Sequence, residues 1–213
     1  MTEKQRANKS EKFWDSVSKR FGDSDKEMIS PAFLHIKQNA EKYFNKNDNV
    51  LDIGCGPGDI TLEIARKAKL VHGIDISAGM IEAAEQKANS QSIATAKFLK
   101  ADLFNESFQN KSFDTVSTFN VLPYIYDKKD FYLRIHEVLK PNGLFISSTA
   151  CLRERVSLLR FLMSGLTAFN FVPKMIFYKT AELETEIKEV GFTILESFNI
   201  AKLPERFIIA RKD

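Results

Sequence analysis

Three glycines stand at alternate positions in LDIGCGPGD (residues 51–59): Gly54, Gly56 and Gly58, with Asp52 ahead of them and Asp59 behind. A glycine turn after an apolar run lets a ligand approach the backbone and permits φ values that a side chain forbids. Many such turns hold a pyrophosphate against a helix N-terminus. The spacing here argues otherwise. A dinucleotide fingerprint reads G-x-G-x-x-G/A, and the last position is occupied by Asp59. Two carboxylates beside a helix N-terminus oppose an anion and suit a ligand that carries positive charge.

Two further acids extend the pattern. Asp75 lies 21 residues after Gly54 at the end of an apolar run, where an acid accepts hydrogen bonds from ribose hydroxyls. Asp102 ends the next such run and is suited to an adenine amino group. Carboxylates ending three successive strands, beside a turn that tolerates a cation, describe a pocket for adenosine with a positively charged tail.

The elements that must position these residues follow from the apolar periodicity. Residues 1–48 read as two helices forming an N-terminal cap, the second started by Ser30 as N-cap and Pro31. From residue 49 strands alternate with helices: strands at 50–54, 70–75, 96–102, 113–119 and 144–150, and helices at 60–68, 78–89 (capped by Ser77) and 127–140. A further helix has Thr180 as its N-cap and Gly191 as its stop, and 192–200 with 206–212 read as a closing antiparallel hairpin. The expected architecture is α/β: a doubly wound, mostly parallel seven-stranded Rossmann-like sheet in residues 49–213. Residues 151–179 break the alternation, with five basic residues against Glu154 alone, and read as an insertion. A lid over the acceptor, a dimer surface and a membrane-contact helix are the three open readings of it.

Composition excludes several classes. A net charge of +3, with acids and bases interleaved, gives no nucleic-acid footprint. Cys55 and Cys151 make neither a disulfide framework nor a metal site, which fits a reducing cytoplasm. The first residues have no apolar segment of the kind a signal peptide needs, and 157–172, interrupted by Arg160, falls short of a membrane span.

VLDIGCGPGDIT, HGIDIS, KADLF, FDTVSTFNVLPYI and EVLKPNGLFIS, in this order and spacing, resemble class I S-adenosylmethionine-dependent methyltransferases of the small single-domain type acting on small molecules. The resemblance covers residues 45–150 most strongly. It implies that Gly54, Cys55 and Gly56 pack on the methionine part of the cofactor, and that Asp52 reaches its amino group through water. It further assigns the ribose to Asp75, the adenine to Ile76, Met80, Asp102 and the Leu103 N–H, and the sulfonium end to the Asn120 carbonyl. Trp14 and Phe21, together with Phe13, are candidates to close over the cofactor. NVLPY (120–124) resembles the base-holding motif of DNA amino-methyltransferases but has one residue too many and a single proline.

The implied activity is methyl transfer to an O or N atom of a small, partly hydrophobic acceptor, with arginines of the insertion hinting at an acidic one. The alternatives are a quinone or lipid methyltransferase and a non-catalytic cofactor-binding scaffold. No catalytic residue stands out: His35 and Tyr124 are weak candidates, and Cys55 reads as a small filler. A nicotinamide oxidoreductase would share Asp75 but lacks a pyrophosphate site. The expected partner is a small molecule, and the chain a monomer or homodimer without metal.

Overall fold

The computed structural model describes residues 3–19, 29–154, 158–168, 171–201 and 205–213. The chain divides into two compact units, Met1–Asn105 and Glu106–Asp213. The seven strands among the described residues form one sheet in the order β3-β2-β1-β4-β5-β7-β6, with β7 antiparallel and the other six strands parallel to one another.

In the first unit, α1 (Glu3–Ser18) and α2 (Pro31–Tyr43) precede β1 (Asn49–Ile53), α3 (Asp59–Ala65), β2 (Leu70–Asp75), α4 (Ala78–Ser90) and β3 (Ala96–Lys100). β1 pairs in parallel with β2, and β2 with β3. Val50, Leu51 and Ile53 are all buried, the continuous apolar pattern of a parallel strand covered on both faces. Ser30 and Ser77 cap α2 and α4 as expected, accepting from the backbone N–H of Phe33 and Met80. α2 buries Ala32, Phe33, Ile36 and Ala40 and packs on α3. Two expected elements are shorter in the structure: α3 stops at Ala65, and β3 at Lys100, so Asp102 sits in the loop beyond the strand.

The second unit holds β4 (Phe113–Phe119), a short 3-10 helix at Leu122–Tyr124, α5 (Lys128–Val138), β5 (Leu139–Ala150), α6 (Leu158–Ala168), α7 (Thr180–Glu189), β6 (Phe192–Asn199) and β7 (Glu205–Lys212). β6 and β7 form the antiparallel hairpin that the sequence implied, and β7 pairs antiparallel with β5. The boundary between α5 and β5 differs from expectation. Leu139 already pairs with Phe113, so pairing with β4 captures residues that helical periodicity assigned to α5. The α7 cap also falls one residue early, at Lys179, with Glu182 reaching back to its N–H at 3.3 Å.

Candidate functional site

The glycine turn is built by β2. The N–H groups of Gly54 and Cys55 both donate to the Ile74 carbonyl, at 2.7 and 3.0 Å, and reverse the chain as it leaves β1. Gly54, Gly56 and Gly58 have φ of +68°, +53° and +84°. At Gly58 packing adds a second requirement, since a Cβ there would lie 2.9 Å from the Ala84 Cβ of α4. At Gly56 a Cβ would meet nothing within 4 Å, so that stretch of backbone faces open space.

Asp75 closes the turn. Its Oδ2 accepts from the Gly56 N–H at 3.0 Å and its Oδ1 from the Ser77 N–H at 2.9 Å. Each oxygen retains acceptor capacity for a further donor. Burial raises the Asp75 pKa above the ordinary aspartate value, partly offset by the backbone N–H groups, while the nearby Asp15 charge adds to the rise. Asp52 is 1% exposed and accepts from the Thr61 hydroxyl of α3 at 2.6 Å. Asp59 corrects the sequence reading. Its carboxylate meets the buried Lys87 ammonium of α4 at 2.7 Å, so its charge is neutralised internally. Asp59 therefore lends no support to the expected preference for a cation.

The adenine candidates gather beyond β2 and β3. Met80 and Leu103 are buried and Ile76 is half-buried. Asp102 is exposed, with Oδ1 taken by the Phe104 N–H at 2.9 Å. Burial raises the Cys55 thiol well above its ordinary range, and the charges of Asp75 and Asp52 add to the rise, which suits a packed filler rather than a nucleophile.

On α1, Trp14 is half-buried and meets Phe13 edge-on at 5.0 Å; Phe21 lies outside the described residues. Asp15, which the sequence did not single out, reaches α4. Its Oδ1 accepts from the Ser77 hydroxyl at 2.6 Å and the Gly79 N–H at 3.3 Å. His35 meets Tyr43 on its own helix: its Nε2 is 2.9 Å from the Tyr43 hydroxyl, and the two rings stack.

In the second unit Asn120 follows β4 with φ +60°, a conformation that non-glycine residues seldom adopt. Its N–H donates to the Ser148 carbonyl at 2.8 Å and its Nδ2 to Glu205 Oε1 at 3.3 Å. The Ser148 hydroxyl donates to the same oxygen at 2.6 Å, so a carboxylate of β7 ties the ends of β4 and β5 together. Burial raises the Tyr124 pKa. The insertion returns against this loop, with the Ile176 N–H on the Pro123 carbonyl and the Tyr126 hydroxyl on the Lys174 carbonyl, both at 2.7 Å. Arg153, read from sequence as facing an acidic acceptor, instead pairs with Glu182 at 2.9 Å. Arg155 lies outside the described residues. Phe161, Leu162 and Phe171 are exposed. Among the described residues, no helix is long and apolar enough to cross a membrane, and no cluster of three or more side chains could hold a metal ion.

Residues 44–194 match the family model described as a methyltransferase domain. The chain is 30% identical over 132 residues to the ubiquinone biosynthesis O-methyltransferase of Pasteurella multocida, covering 57% of this chain and 54% of the relative. It is 32% identical over 111 residues to the demethylmenaquinone methyltransferase of Lactiplantibacillus plantarum, covering 50% and 47% respectively. The chain thus spans about half the length of these curated relatives. The crystal structure of the PH0226 protein from Pyrococcus horikoshii OT3 superposes with a TM-score of 0.74 at 23% identity, over 90% of this chain and 94% of the other.

Proposed function

The chain belongs to the class I S-adenosylmethionine-dependent methyltransferase family, and from that premise we propose that it methylates an O or N atom of a small, partly hydrophobic molecule. The observation that carries the reading is the Asp75 carboxylate bridging the Gly56 and Ser77 N–H groups beside backbone that faces open space. This arrangement fits an adenosine ligand with a cationic tail better than it fits a pyrophosphate.

S-adenosylmethionine, when bound, supplies an electrophilic methyl group on a sulfonium. The chain's own residues bind and orient. Asp75 accepts the ribose hydroxyls with its remaining lone pairs, Asp102 accepts from the adenine amino group, and the Leu103 N–H faces the ring. Ile76 and Met80 line the adenine. Gly54, Cys55 and Gly56 present backbone to the methionine part, and Asp52 answers its ammonium. Trp14 closes over the cofactor. Displacement needs an in-line nucleophile and a dry site, so positioning accounts for most of the protein's contribution.

No base is assigned. Tyr124 and Cys55 are held protonated by burial, and His35 is engaged with Tyr43. An acceptor that is already deprotonated at neutral pH, such as an aromatic amine or an acidic phenol, therefore fits best. The partner is a small molecule rather than nucleic acid, the setting cytoplasmic, and the chain a monomer or homodimer.

A second reading, methylation of a quinone or another lipid, is supported by the names of the two relatives and by exposed Phe161, Leu162 and Phe171 within the insertion. The test is transfer of tritiated methyl from S-adenosylmethionine to matched panels of apolar phenols, amines and prenylated hydroquinones. Label on the phenols or amines supports the first reading, and label confined to the prenylated compounds the second. Cofactor binding without transfer to any panel would favour the scaffold alternative.

A further inference from the structure

We propose that Asp15 is a positioning residue for the ribose-binding acid: it fixes Ser77, and through Ser77 it fixes Asp75, so that docking of α1 on α4 and filling of the adenosine pocket form one coupled equilibrium. The proposal rests on the reading that Asp75 receives the ribose.

Ser77 is fully buried, and three of its hydrogen bonds bear on the site. Its N–H donates to Asp75 Oδ1 at 2.9 Å, its hydroxyl oxygen accepts from the Met80 N–H at 3.1 Å, and its hydroxyl proton goes to Asp15 Oδ1 at 2.6 Å. The Met80 bond alone satisfies the helix cap. The bond to Asp15 is additional, and it gives Ser77 a fixed hydroxyl rotamer that a cap does not need. Asp15 also accepts from the Gly79 N–H at 3.3 Å, placing negative charge at the positive end of α4.

Gly79 shows how closely α1 is meant to approach. No positive φ is recorded for it, so backbone conformation does not require a glycine there. Steric fit does: a Cβ at Gly79 would lie 2.2 Å from the Ser18 Oγ and 3.1 Å from the Ser18 Cβ. A glycine within a helix is less favourable than alanine by roughly 0.5–1 kcal/mol, and here it makes the notch that seats the last turn of α1. The Lys100–Glu11 pair at 2.6 Å adds an outer tie, exposed and therefore weak. One acid thus joins a helix outside the sheet to the carboxylate that ends β2. Ligand contacts that order Asp75 favour docked α1, and docked α1 favours the ligand by the same factor.

Trp14, the single tryptophan of the chain, sits on α1 and reports docking by its fluorescence. The probe is S-adenosylhomocysteine, titrated into the full chain while Trp14 emission is read, with calorimetry giving Kd independently. In the wild type, emission shifts saturably with the calorimetric Kd. Asp15→Ala weakens binding about tenfold, the equivalent of about 1.4 kcal/mol. Asp15→Asn, whose amide oxygen accepts the same two bonds, stays within about threefold of wild type. Gly79→Ala weakens binding as Asp15→Ala does, and adding Ser18→Gly restores it by reopening the notch. The size-swapped pair keeps the test decisive if Asp15→Ala fails to fold. Kd unchanged in both Asp15→Ala and Gly79→Ala, or Trp14 emission that ignores bound ligand, overturns the coupling while leaving the cofactor site intact. Absence of any wild-type binding overturns the cofactor reading and the coupling with it.

Discussion

In the Met1–Asn105 unit each acid of the glycine turn is met by a donor: Asp52 by Thr61, Asp59 by Lys87, Asp75 by the backbone of Gly56 and Ser77. One sheet face of the Glu106–Asp213 unit is arranged differently, although Ser148 there is bonded to Glu205. Thr118, Ser147 and Thr149 share one face of β4 and β5 by register and alternation, and their buried hydroxyls have no hydrogen-bond partner among the described residues. The contrast separates a scaffold whose charges are fixed in advance from a sheet face whose polar groups are not committed to one another.

The largest effect should come from breaking a buried pair in the first unit. Lys87→Met leaves Asp59 buried without its cation and should destabilise the fold by about 3–5 kcal/mol in denaturant unfolding. Adding Asp59→Asn should recover most of that loss. Next, Gly58→Ala combines a positive φ with a 2.9 Å approach to Ala84, and should lower stability by about 1–3 kcal/mol.

A pH titration sharpens the same comparison. The folded pKa of Asp75 lies above its ordinary 3.8, so the folded chain binds this proton more tightly than the unfolded chain does. The stability contributed by that proton is present below 3.8 and is lost as pH rises through the folded value. Binding runs the other way, because only the ionised carboxylate accepts both ribose hydroxyls fully. Affinity for S-adenosylhomocysteine should therefore begin to fall, on acidification, at a higher pH than an ordinary aspartate would give. Calorimetric titrations from neutral pH downward check this. The smallest effect belongs to the second unit: Ser147→Ala removes a buried, unpartnered hydroxyl and should raise stability by up to about 1 kcal/mol, measured by the same unfolding experiment.

Features encoded locally were legible in the sequence. The glycine turn, the acid at the end of β2, and the Ser30 and Ser77 caps each depend on residues a few positions apart. What escaped depends on partners brought together only by folding. Lys87 neutralises Asp59 across 28 positions, Ser77 meets Asp15 across 62, and Glu205 holds Asn120 across 85. An i,i+4 acid pair on α1, Glu11 and Asp15, was the one local sign that this helix faces donors. Boundaries moved for the same reason, as β4 draws Leu139 into a strand against its helical periodicity. Arg153 has no local feature that distinguishes a ligand contact from its pair with Glu182.

The central claim is that the Met1–Asn105 unit holds adenosine with a cationic tail through Asp75. Isothermal titration of the wild type and Asp75→Ala with S-adenosylmethionine, S-adenosylhomocysteine and NAD tests it directly. The expected result is binding of both sulfur ligands, none of NAD, and a loss of about a hundredfold in Asp75→Ala, as when two hydrogen bonds to a charged group are removed. Equal binding of NAD, or wild-type affinity in Asp75→Ala, would contradict it.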